Sequence, residues 1–102
     1  MGKAHSNKGR FFRFNNMIEL DNFVSLYSDL FTPYSKDVVD YESKYYNLGP
    51  TMDLIRGFKV VSTGKDIVLR ANLTRENLDE ILKSKSFTKE KFWRGRSIYV
   101  FG

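Results

Sequence analysis

The chain has 102 residues, of which 41% are hydrophobic and 28% charged, with a formal charge of +5 and no cysteine. That length is enough for one domain, and the lack of thiols excludes a disulfide scaffold, a thiolate metal site and a cysteine nucleophile. No apolar run approaches the ~18–20 residues that cross a bilayer, and no signal-peptide stretch opens the chain, so a cytoplasmic protein is expected.

Charge is sorted along the sequence. Residues 1–16 hold Lys3, Lys8, Arg10 and Arg13 and no acid. Residues 17–53 hold seven acids against Lys36 and Lys44, and residues 54–102 hold eleven cations against five acids. A surface that only keeps a protein in solution mixes its signs, so this sorting points to an anionic partner. Aromatic side chains reach 16%, and large rings let a small core bury much apolar area. The frequent Lys, Asn, Phe, Tyr and Ile are what an AT-rich genome encodes, such as that of a phage.

Residues 1–9 lack an apolar anchor that would offset the entropy of ordering, and read as a flexible basic arm ahead of a single domain over 10–102. Arg10-Phe11-Phe12-Arg13-Phe14 suits a first strand, with Phe12 and Phe14 on one face and Phe11 and Arg13 on the other. Asn16 with Glu19 has the spacing of an N-cap and its reciprocating acid, with Asp21 as the other candidate cap. Leu20, Phe23, Val24, Tyr27, Leu30 and Phe31 then fall at helical spacing, and Pro33 ends the helix. Val38, Val39, Glu42 and Tyr45 or Tyr46 suggest a second helix over 35–46, stopped by Asn47-Leu48-Gly49-Pro50.

Two β-rich runs, 58–61 and 67–70, flank a turn containing Gly64 and read as a hairpin. Thr74 caps the clearest helix, 74–84, with Leu73 and Leu78 as a hydrophobic staple and Leu78, Ile81 and Leu82 as its core stripe. Ile98–Phe101 closes the chain as a strand. The expected fold is α+β: a four-stranded, mostly antiparallel sheet on two or three helices, of the split βαβ, ferredoxin-like kind.

Little in the chain suggests catalysis. His5 is the sole histidine and sits in the arm, where nothing holds it near the ~3 Å that general-base work needs. Ser62-Thr63-Gly64-Lys65-Asp66 fails the phosphate-loop pattern, because Gly57 is too far before Gly64 and Asp66 replaces the magnesium-binding hydroxyl. Asp37, Asp40, Glu42 and Lys44 contain an E-x-K, but a helix would fan these groups apart, which leaves a solvated acidic face. Neither an enzyme nor a cofactor or metal site is expected. Met1-Gly2-Lys3-Ala4-His5-Ser6 fits the minimal myristoylation pattern, which is void in a bacterium or phage.

Binding chemistry is richer. Lys3, Lys8, Arg10 and Arg13 can neutralise phosphates, and an outward Phe11 would add a stacking ring. Lys83, Lys85, Lys89, Lys91, Arg94 and Arg96 surround Phe92 and Trp93, interleaving cations with rings. Arg56-Gly57-Phe58-Lys59-Val60-Val61 resembles half of the RNP1 motif of RNA-recognition domains, and Phe11–Asn16 resembles RNP2 more distantly. An extra strand at 67–70 departs from that family's order, as do Lys59 and Val61 at its small-residue and second-ring positions, so only Arg56 and Phe58 are retained as surface candidates.

Two readings follow. The first is a small regulatory protein that binds RNA or single-stranded nucleic acid through Lys3, Lys8, Arg10, Arg13, Arg56, Lys89, Lys91, Trp93, Arg94 and Arg96, with Trp93, Tyr99 or Phe11 stacking. The second is a non-enzymatic inhibitor or adaptor, such as a phage might encode against a host protein. It would use the acidic, Tyr-rich segment 34–46 with Tyr34, Asp37, Asp40, Tyr41, Glu42 and Tyr45.

Overall fold

Two consecutive phenylalanines in the first strand direct apolar bulk to opposite sides of a sheet, so that strand has to be central and covered on both faces. The computed structural model, which describes residues 8–33, 56–63, 66–92 and 95–102, shows this arrangement. Strand β1 (Lys8–Phe14) lies between β3 (Asp66–Leu73) and β5 (Ser97–Phe101). Phe11 and Phe12 are 1% and 0% exposed, on opposite faces. Phe11 is therefore core and does not project outward as a stacking ring.

The sheet has five strands in the order β2-β3-β1-β5-β4, where β2 is Phe58–Thr63 and β4 is Phe87–Lys91. The β1/β3, β2/β3 and β4/β5 pairs are antiparallel, while β1 and β5 run parallel. This corrects the expected four-stranded, mostly antiparallel, ferredoxin-like sheet to a mixed five-stranded one. The added element is β4. Its sequence, Phe-Thr-Lys-Glu-Lys, shows no alternation because every residue after Phe87 is exposed on an edge. The β4–β5 hairpin reverses the chain once more, so β5 enters beside β1 in the parallel sense. The strand also begins at Lys8, two residues before the expected Arg10, so residues 8 and 9 belong to the sheet and not to the arm.

Both described helices pack on one face. Helix α1 (Met17–Tyr27) starts at Asn16, whose Oδ1 accepts from the Glu19 amide at 2.9 Å, so Asp21 is not the cap. Glu19 reciprocates one residue further back than a capping box would, accepting from the Asn15 amide at 2.9 Å. The expected stripe holds: Leu20, Phe23, Val24 and Phe31 are buried, with Tyr27 and Leu30 packed against them. The α-helix itself stops at Tyr27, and Ser28–Leu30 tighten into a 3₁₀ turn. Helix α2 (Arg75–Ser84) is capped by Thr74, whose hydroxyl accepts from the Asn77 amide at 3.2 Å. Leu78 and Ile81 are buried, and Leu73 of the staple is 0% exposed.

Aromatic rings dominate this core. Phe12 lies 4.9 Å from Phe23 and 5.6 Å from both Phe87 and Tyr99, and Phe14 lies 5.1 Å from Phe23. Tilted and edge-on contacts at these distances each add about 0.5–1.5 kcal/mol beyond area burial. The opposite face buries Phe11, Val68 and Ile98 with Phe92 and Val100 against them, and it also buries Lys59 and Arg70. The helix expected over 35–46 lies outside the described residues. Among those described, no helix is long and apolar enough to cross a membrane.

Candidate functional site

Strand alternation sets Arg10 on the helix-covered face of β1, opposite Ala71, near the point where β3 hands over to α2. Its Nε donates to the carbonyl of Leu73, the last residue of β3, at 3.4 Å. Arg75 opens α2 immediately after the Thr74 cap, and Asp79 follows one turn later on the same helix face. Lys89 and Tyr99 are direct cross-strand partners on β4 and β5. Arg96 precedes β5, and its Nη2 donates to the carbonyl of Gly9, with the guanidinium carbon 5.5 Å from the Phe11 ring centre.

These residues enclose two adjoining pockets. The larger, about 400 Å³, has Arg10, Arg75, Asp79 and Lys89 on its polar side and Leu78, Leu82 and Phe87 as apolar wall. The smaller, about 290 Å³, is lined by Gly9, Arg10, Lys89, Arg96 and Ser97 and has no acid among the described residues that line it. Arg10, Lys89 and Tyr99 belong to both.

Partial burial lowers the Arg10 pKa from its ordinary value, and the nearby charges of Arg75 and Arg96 push the same way, while Tyr99 and Asp79 oppose them. The guanidinium stays protonated, since arginine titrates far above physiological pH. Arg10 lines both pockets, with Arg75 on the wall of the larger and Arg96 on that of the smaller, so three like charges that repel one another border this surface. An anion entering between them relieves that repulsion and gains charge-assisted hydrogen bonds. Among the described residues, no three His, Cys, Asp or Glu side chains are placed to share a metal ion.

The candidate cations are thus divided. Arg10, Lys89 and Arg96 come together, and Lys91 is exposed beside them, with its cross-strand partner Ser97 lining the smaller pocket. Arg13 lies on the other face, 3.7 Å from Glu90. Arg56 is exposed next to the far edge strand β2, stacked 4.9 Å over Phe58, which itself packs against the core. Lys3, the Lys8 side chain, Trp93 and Arg94 lie outside what the structure describes, as do Tyr34, Asp37, Asp40, Tyr41, Glu42 and Tyr45.

Arg75 and Asp79 were missed by sequence reasoning. Arg75 did carry a signal: a cation in the first turn opposes the helix dipole, so its presence there asks for a reason beyond helix stability. No family model, curated protein or solved structure matches the chain.

Proposed function

We propose that the protein is a small cytoplasmic regulator that binds RNA or single-stranded DNA, without catalysis, on the surface around Tyr99. One observation carries this reading: Arg10 from the first basic block and Lys89 and Arg96 from the last line the same pocket. Charges almost the whole chain apart are gathered at one end of the sheet, where like charges repel one another. Phosphate contact by such a cluster releases counterions and gives affinity that falls steeply with salt.

A single strand is favoured over duplex because the site is concave and partly apolar. The half-buried Tyr99 ring can accept an unstacked base, which a duplex does not present. The acids Glu76, Asp79 and Glu80 on α2 do not make a basic recognition helix.

The test is fluorescence anisotropy with single-stranded RNA, single-stranded DNA and duplex DNA over a salt series, comparing wild type with Lys89→Glu/Arg96→Glu. The expected result is single-strand binding with a steep salt slope that the double variant abolishes while its melting curve stays cooperative. Absence of binding at ~50 mM salt, where phosphate contacts are strongest, would refute the reading and redirect the search to a protein partner.

A further inference from the structure

The two pockets are chemically unlike although they share a wall. Among its described lining residues the smaller one offers cations and no acid, so it suits a phosphate. The larger one adds Asp79, whose carboxylate repels a phosphate, and the apolar side chains Leu78, Leu82 and Phe87, which a phosphate does not need. Its volume of about 400 Å³ falls within the ~300–1,000 Å³ of small-ligand sites. A base joined to a phosphate in the smaller pocket would reach it past Arg10, Lys89 and Tyr99, the residues common to both.

Resting on the single-strand reading above, we infer that the larger pocket is a guanine subsite in which Asp79 reads the base of one nucleotide whose phosphate sits between Arg10 and Arg96. Donor matching singles out guanine. A carboxylate presents two acceptors side by side and no donor. Guanine alone among the bases presents two adjacent donors, N1–H and the N2 amino group. Adenine and cytosine each present an amino group next to a ring acceptor that the carboxylate repels, and uracil presents one N–H between two carbonyls. Arginine is the usual partner of guanine O6 and N7, and Arg75 stands on the same pocket wall one turn before Asp79. Leu78, Leu82 and Phe87 supply the apolar surface against which the ring lies.

The experiment uses the full chain and four fluorescent ten-nucleotide RNAs, all uridine except for a central guanosine, adenosine, cytidine or uridine, with guanosine 5′-monophosphate as competitor. The guanosine-containing strand should bind about tenfold tighter than the others, near the low end of what a bidentate base contact contributes. Asp79→Asn should bring the four affinities together, lowering that of the guanosine strand, which loses its contact, and raising the other three, because it removes a negative charge near the phosphate site. Asp79 is exposed on α2, so the variant should melt as wild type does. Four strands bound within twofold of one another with a steep salt slope, or a guanine preference that survives Asp79→Asn, would overturn the subsite and leave the single-strand reading standing. No binding of any strand would overturn both. Guanosine monophosphate binding as tightly as the guanosine strand would overturn the strand assignment in favour of a free nucleotide.

Discussion

The guanidinium of Arg70 lies across Gly9 so closely that a Cβ at residue 9 would overlap Nη2, Cζ and Nε. Arg70 is 0% exposed and Gly9 is buried, so the guanidinium would have to shift within packed surroundings. The glycine at the start of β1 is a requirement of packing there. Gly9→Ala should destabilise the protein by about 1–3 kcal/mol, the usual cost of overpacking. Urea unfolding measures it against Gly102→Ala as control, where a Cβ meets nothing within 4 Å.

Asn72 ties the residues that follow the 3₁₀ turn to β3. Its Nδ2 donates to the carbonyls of Thr32 at 3.1 Å and Pro33 at 3.4 Å, while its backbone accepts from the Thr32 amide at 2.8 Å. Truncation removes the donors and leaves partly buried carbonyls to find water. Asn72→Ala should lower stability by about 1–3 kcal/mol, read as a reduced denaturation midpoint with unchanged m-value.

Lys59 is 5% exposed, and burial lowers the pKa of its ammonium from the ordinary 10.5. Between the folded value and 10.5 the unfolded chain binds more protons than the folded one, so this residue's contribution to stability improves as pH rises. Lys59→Met removes that dependence. Any stability advantage of the variant should be largest below the folded pKa and shrink towards pH ~10.5. Parallel urea titrations from about pH 8 upward would show it, and a constant difference would contradict it.

On the proposed single-strand reading, cations at the site and away from it should behave differently. Lys89→Gln should reduce the slope of log K against log salt by about 0.7, the share of one phosphate contact on a single strand. Arg56→Gln, at the far edge of the sheet over Phe58, should leave the slope unchanged. Anisotropy titrations at four salt concentrations distinguish the two.

Much of the local structure was legible. Asn16 and Thr74 announce their helices because a side-chain oxygen before an apolar periodic run satisfies an otherwise orphaned amide, and both do so here. Phe12, Phe14, Leu78 and Ile81 are core because alternation and helical spacing put them on one side of their own elements. The hairpin of β2 and β3 was legible for the same reason, although each strand runs further than its apolar residues suggest.

The β4 strand was not legible, since Lys89, Glu90 and Lys91 bury nothing and are held by backbone pairing to β5. In the candidate site, the sequence named Arg10, Lys89 and Arg96 as cations but could not say which of ten residues would meet. Arg13 faced away toward Glu90 by the same alternation that turned Arg10 inward.

Local pattern was enough for every described element but β4, and for the helix caps, the aromatic core and the sorting of charge, because each depends on residues a few positions apart. The assembled fold set β5 parallel beside β1, Arg70 across Gly9, and Arg10 with Arg75 in one pocket and with Arg96 in its neighbour. Those features depend on which distant strands pair, a choice set by total burial over the whole chain and invisible in any local pattern.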